Sequence, residues 1–123
     1  MEEKAIVQKL PQEATASFLQ MLGLAARARR LGIGATIARD AMRTGSAVCV
    51  VLAADASANT QKRILDTASF YKIPIFEICK DAIEIGQAIG KSGMIAAVAV
   101  LDASFASALQ GIYEKFTSDL LEV

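Results

Sequence analysis

A chain of 123 residues with 54% hydrophobic side chains is long enough to bury one core without disulfide or metal staples. It contains no histidine, which removes the usual general base, the Ser–His and Cys–His pairs and most zinc sites. Zero net charge excludes a protein that coats nucleic acid indiscriminately, and no apolar run reaches the roughly 18 residues of a membrane span. The polar start Met1-Glu2-Glu3-Lys4 is unlike a signal peptide, so a soluble, cytoplasmic protein is expected. The charge is unevenly spread. Residues 17–45 carry five arginines against one aspartate, and residues 76–123 carry three lysines against seven carboxylates. Cys49 and Cys79 sit in apolar runs and are expected on strands, as buried thiols rather than a disulfide.

Residues 1–16 read as a polar extension in which Pro11 breaks any helix over Lys4–Leu10. Ser17 and Gln20 are spaced as a capping box, and Phe18, Leu19, Leu22, Ala25 and Ala26 follow at helical spacing. Arg27, Arg29 and Arg30 are placed in the last turn of this helix, with Gly32 ending it. Leu31–Ile33 can form a very short strand. Gly34 opens a second helix with Ile37, Ala38, Ala41 and Met42 as its apolar stripe; Arg39, Asp40 and Arg43 lie on the other side, and Gly45 closes it.

Ala47–Ala53 is continuously apolar and β-branched, the pattern of a strand covered on both faces. A loop at Asp55–Thr60 leads to a third helix over about Ala58–Tyr71, with Ile64, Leu65, Ala68 and Tyr71 inward. Pro74 precedes a strand at Ile75–Cys79, and Asp81 caps a helix at Ala82–Ala88. Gly90-Lys91-Ser92-Gly93 is a tight loop before a buried strand, Ile95–Leu101. Asp102 caps a last helix from Ala103 to about Lys115, and residues 117–123 are a tail. This alternation predicts a three-layer α/β/α sandwich in one small domain over residues 17–116.

Catalytic constellations are absent from the pattern. Asp40, Asp55 and Asp102 stand at or near element ends, where Asp caps or is solvated. Gly32-Ile33-Gly34 lacks the third glycine of a dinucleotide fingerprint, because Ile37 stands there. Gly90-Lys91-Ser92 lacks the earlier glycine of a phosphate loop, because Ile85 stands there, and it leads into a strand. The stretch Arg27–Arg43 is different. Arginines flank a glycine turn, and the helix opened there presents unpaired N–H groups that attract phosphate. Cations at a helix C-terminus account for Arg27, Arg29 and Arg30 but not for Arg39 and Arg43, so this stretch is expected to meet RNA.

Several segments together resemble a known family. Leu22-Gly23-Leu24-Ala25, the Gly34-opened helix, and Ala41-Met42-Arg43-Thr44-Gly45-Ser46-Ala47 resemble the front half of the L-seven-Ae/L-thirty-e ribosomal-protein superfamily. Val50-Val51-Leu52-Ala53-Ala54-Asp55-Ala56-Ser57 resembles its first long strand and following loop. Ile73-Pro74-Ile75 resembles its strand entry, and Ile85-Gly86-Gln87-Ala88-Ile89-Gly90-Lys91 its Leu-Gly-x-Ala-x-Gly signature. Val98-Ala99-Val100-Leu101-Asp102 and Phe105-Ala106 resemble the end of its bacterial YlxQ-type branch. The likeness spans about residues 17–112.

The resemblance implies a non-catalytic RNA-binding protein related to ribosomal proteins, with no cofactor, metal or small-molecule substrate, expected as a monomer. The implied target is a kink-turn or similarly bulged RNA, with the ribosome as a candidate partner. The implied contacts are Gly34, Ala35, Thr36, Ile37, Arg39, Asp40 and Arg43, then Asp55 and Ser57, then Lys91, Met94 and Ile95; Arg30 is added from its charge. Met94 and Ile95 would pack on an extruded base. The family's Gly-x-Asn-Glu-x-x-Lys opening is replaced here by Thr36, Ile37 and Asp40 at its three polar positions. Losing one hydrogen-bonded base contact costs about 1–3 kcal/mol, by analogy with DNA readout, and Asp40 would repel a phosphate. Arg39 and Arg43 are expected to compensate by a rotated contact. The alternative keeps the fold and gives this face to a protein partner; a weaker one makes the chain an accessory to an RNA-modifying enzyme.

Overall fold

The apolar run Ala47–Ala53 yields a strand with both sides covered, and the sheet is built round it. The computed structural model describes residues 6–79 and 81–121. In order, these form β1 (Val7–Lys9), a 3-10 turn (Gln12–Ala14), α1 (Thr15–Arg27), β2 (Leu31–Ile33), α2 (Ala35–Arg43) and β3 (Cys49–Ala53). There follow α3 (Ala58–Tyr71), β4 (Ile75–Ile78), α4 (Ala82–Ala88), β5 (Ala97–Val100) and α5 (Ala103–Leu121). The sheet order is β1-β4-β3-β5-β2. β1, β4 and β3 are parallel, and β5 lies between β3 and β2, antiparallel to both.

Alternation along β3 divides the core in two, because successive side chains point to opposite faces. Cys49, Val51 and Ala53 join Phe18 and Leu22 of α1, Ile85 of α4 and Leu109 of α5. Val50 and Leu52 join Ala38, Ala41 and Met42 of α2 and Ile64 and Ala68 of α3. The predicted three-layer α/β/α sandwich is therefore formed, with α1, α4 and α5 on one face and α2 and α3 on the other. The first half is aromatic: Phe18 packs edge-on to Phe76 at 5.1 Å between centroids, and Phe76 to Tyr113 at 5.8 Å. The second half is rich in alanine, which lets α2 and α3 lie close on the sheet. Among the described residues, no helix is long and apolar enough to cross a membrane.

The ends of α1 differ from expectation. Pro11 holds φ at −66°, and the Ala14 N–H donates to its carbonyl at 3.0 Å, so a 3-10 turn runs straight into the helix. The helix thus starts at Thr15. Thr15 is buried with its hydroxyl 3.3 Å from the Cys79 sulfur, while Ser17 lies exposed inside the first turn and the Ser17–Gln20 capping box does not cap it. At the other end Arg29, not Gly32, takes the left-handed conformation, with φ 59°. Its N–H donates to Ala26 O at 3.0 Å and that of Arg30 to Ala25 O at 2.9 Å, a Schellman closure. A non-glycine residue there costs about 1 kcal/mol. Of the three arginines, Arg27 alone lies in the last turn. Gly32 is instead buried in β2, where an added Cβ would stand 3.1 Å from Ile37 Cγ2.

The polar extension is also more than a lead-in. Residues 7–9 pair in parallel with β4; Ile75 N–H donates to Ile6 O and Leu10 N–H to Glu77 O, each at 2.8 Å. An edge strand has one unpaired side and little burial, so it leaves a weak hydrophobic pattern. The predicted tail is helical up to Leu121, because Ile112, Tyr113 and Phe116 keep α5 packed on the core and no glycine or proline follows Gly111. Residues 1–5 and 122–123 lie outside the described residues. Two side chains expected inward are exposed: Ile37 (54%) and Tyr71 (41%). Cys79 stands one residue beyond β4 and is exposed, whereas Cys49 is buried, and neither forms a disulfide.

Burial pushes the Cys49 thiol up to about 12, so it stays protonated and shielded at ordinary pH. A thiol reagent at about pH 8 is expected to label one equivalent in the native protein and two after denaturation. Cys79→Ser should abolish native labelling; native labelling of both thiols would contradict the packing of β3.

Candidate nucleic-acid interface

At the end of the sheet where β2 and β3 finish and β5 begins, four segments are joined by backbone hydrogen bonds. The Gly34 N–H donates to Ala97 O at 2.9 Å, and the Ala53 N–H to Ala96 O at 2.8 Å. The Ile95 N–H donates to Ala82 O at 3.0 Å. The Ala82 N–H in turn donates to Asp55 Oδ1 at 2.8 Å. The start of α2, the loop after β3, the start of α4 and the loop before β5 are therefore held as one apex.

Gly34 caps α2 with φ 107° and ψ 152°, a region essentially reserved for glycine. No side chain caps this end. The first N–H groups of Ala35, Thr36 and Ile37 thus open outward with the positive end of the helix dipole behind them. Thr36, Ile37 and Asp40 are exposed beside them. Asp55 is exposed but engaged at Ala82, and Ser57 is engaged as the cap of α3, where its Oγ accepts the Thr60 N–H at 3.1 Å. Both aspartate and serine therefore shape the loop.

The loop before β5 is shaped by Gly86. An added Cβ would stand 2.6 Å from Gly93 O and 3.2 Å from Lys91 O, both backbone atoms. The Lys91 N–H donates to Gly86 O at 2.8 Å, and Gly93 turns the chain with φ 99°. Lys91 and Met94 project from this loop, Met94 with 68% of its surface exposed. Ile95 does not accompany it; it is partly buried against the aromatic half of the core, with Cγ1 near the Gly86 Cβ position.

The arginines divide between places. Arg30 lies at the opposite end of β2, where its carbonyl accepts the Leu101 N–H at 2.9 Å; four residues of strand put it about 13 Å from Gly34. Its guanidinium reaches Asp102 at a loose 3.9 Å. Arg39 and Arg43 face α3, lining a groove with Asp66, Thr67, Phe70 and Tyr71. Arg39 is half-buried there rather than solvated on an outer face. The apex consequently carries Lys91 as its described cation among residues 34–37, 55–57 and 91–95. Sequence reasoning missed the structural part played by Gly86 and the place of Phe70 and Tyr71 beside the arginines. The Gly-x-Ala-x-Gly spacing was the available signal for the first, and a paired aromatic at a helix end for the second.

A mixed five-stranded sheet between helix layers, with a glycine-opened helix and two loops at one apex, defines an α/β/α sandwich of the ribosomal-protein type. The chain belongs to the ribosomal protein L7Ae/L30e/S12e/Gadd45 family, which residues 16–110 match. It is 38% identical over 89 residues to the RNA-binding protein YlxQ of Bacillus subtilis (strain 168), covering 72% of this chain and 87% of that one. It is 35% identical over 96 residues to the RNA-binding protein YlxQ of Enterococcus faecium, covering 78% and 90%. A solved structure of a Bacillus halodurans C protein of unknown function superposes with TM-score 0.74 at 35% identity, covering 80% of this chain and 98% of that one. A Giardia lamblia 15.5kD RNA binding protein superposes with TM-score 0.71 at 19% identity, over 88% and 91%, a likeness of fold.

Two substitutions test how the apex is held. Asp55→Ala is expected to cost about 1–2 kcal/mol in urea unfolding, since it strands the Ala82 N–H, while Asp55→Asn retains most of the stability. Gly86→Ala should cost about 1–3 kcal/mol by forcing the Lys91–Gly93 backbone away. Unchanged unfolding midpoints would contradict the hydrogen-bonded apex.

Proposed function

We propose that this chain is a non-catalytic, cytoplasmic RNA-binding protein that takes a bent or internally looped RNA, of the kink-turn kind, at the apex. The convergence of the Gly34-opened helix, the Asp55–Ser57 loop and the Lys91–Met94 loop on one end of the sheet carries this reading. Open N–H groups at the start of α2 suit a phosphate or an acceptor on a base edge. Met94 suits an extruded base, because unstacked bases in RNA loops are read by apolar and aromatic packing. The names of the YlxQ relatives support the same reading, and ribosomal RNA is the natural first substrate class for a family of ribosomal proteins. Lys91 as the one cation among the described residues 34–37, 55–57 and 91–95 makes shape, rather than bulk phosphate attraction, the main source of affinity.

A second reading rests on Ile37. It is an exposed β-branched side chain at the place where kink-turn binders carry Glu, and it favours a protein partner on the same face. Titration separates the two. A kink-turn RNA and a plain duplex of equal length are expected to differ by at least about tenfold in Kd, with a salt slope of about 1–3 for the kink-turn. Met94→Ser should weaken the kink-turn complex about tenfold, the loss of one buried thioether side chain. Equal, weak and steeply salt-dependent binding to both RNAs would overturn the kink-turn reading and leave this face to a different RNA or to a protein.

A further inference from the structure

We infer that the groove between α2 and α3 is a second RNA-binding site, which receives a single-stranded extension of the RNA folded against the apex; this rests on the RNA reading above. The groove has a volume of about 270 Å³ and is lined by Arg39 and Arg43 of α2 and by Asp66, Thr67, Phe70 and Tyr71 of α3. Arg39 and Arg43 are one helical turn apart on the same face. The Arg39 Nε is buried without a hydrogen-bond partner, an unmet donor within the groove wall. Phe70 is 76% exposed, and its ring is held edge-on to Tyr71 at 4.8 Å and 76°. The one carboxylate in the lining, Asp66, is paired to Lys62 at 2.8 Å, which offsets its repulsion of an anion.

This combination selects its occupant. A nucleotide offers a flat base and a phosphate, and the groove offers an aromatic face and two guanidinium groups for them. An acidic peptide would use the arginines and leave Phe70 idle. A duplex does not fit, because two packed helices are only about 8–10 Å apart. Both helices start at the apex end, and Arg43 lies nine residues along α2 from Gly34, a rise of about 14 Å. A few nucleotides of single strand leaving the apex therefore reach the groove. The site also accounts for where the basic charge went: Asp40 stands exposed on α2, where the resemblance implies a lysine, while the arginines of α2 face α3.

The test uses the full chain and three RNAs: a blunt kink-turn duplex, the same duplex with a single-stranded extension of about six adenosines, and the extension alone. The extension is expected to tighten binding about tenfold. Phe70→Ala should remove that gain and leave the blunt duplex bound as before, and Arg43→Gln should lower the salt slope of the extended RNA by about one. If the blunt RNA binds and the extension adds nothing, or adds its gain equally to Phe70→Ala, the groove site is overturned and the apex reading stands. If the extension alone binds in a Phe70-dependent way while the blunt RNA does not, the groove stands and the apex reading fails. If none of the three RNAs binds, both fail.

Discussion

β5 is the constraint on which the rest depends. It runs antiparallel between β3 and β2, so its first residues meet the last residues of both neighbours. The chain leaving β2 at Gly34, the chain leaving β3 at Ala53 and the chain entering β5 at Ala96 and Ala97 must then share one end of the sheet. The Ile95–Ala82 backbone link and the Asp55 carboxylate complete the connection to α4. Every buried backbone group at this end has to find such a partner, since an unpaired one would cost as much as a lost hydrogen bond. The apex is thus a consequence of strand order, and the loops on it are positioned by the sheet rather than by their own stiffness.

The same geometry separates charge from shape. Arg27 to Arg43 looks continuous in sequence, yet a three-residue strand and a nine-residue helix carry its arginines to different sides of the molecule. Arg29 and Arg30 stand at the far end of β2, Arg39 and Arg43 in the groove against α3, and the helix N-terminus at the apex between them. Under the proposed reading, an apex with Lys91 as its one cation among the described residues 34–37, 55–57 and 91–95 would select what fits its open N–H groups and Met94. The groove with Arg39, Arg43 and the exposed Phe70 is where the proposed second site would supply phosphate and stacking contacts.

Most of the architecture was legible because the relevant signals are local. Gly45, Asp81 and Asp102 end or begin helices where caps are expected, and the apolar run at Ala47–Ala53 contains the covered strand β3. The misreadings share a cause, which is tertiary context overriding a local cue. Pro11 feeds a 3-10 turn that shifts α1 past Ser17. Arg29 accepts a left-handed backbone that glycine was expected to supply. β1 pairs with β4 despite a polar sequence. For the candidate site, glycine punctuation placed Gly34 at the start of α2, and the family resemblance pointed to Met94 on the loop before β5. The apolar pattern put Ile95 in a buried strand, against the base contact that the resemblance implied for it, but no pattern could show that Asp55 is spent on Ala82 or that Arg39 and Arg43 look toward α3, because each depends on a neighbour distant in the chain.

The proposed function puts RNA at the end of the sheet that holds Gly34, Asp55 and Met94. The most direct measurement is an amide chemical-shift titration of the isotopically labelled chain with a kink-turn RNA. The account predicts that the largest changes fall on residues 34–37, 55–57 and 91–95, with β1 and the Arg30–Leu101 end unmoved. Changes centred instead on Arg27–Arg30 and Leu101, with the apex silent, would contradict it.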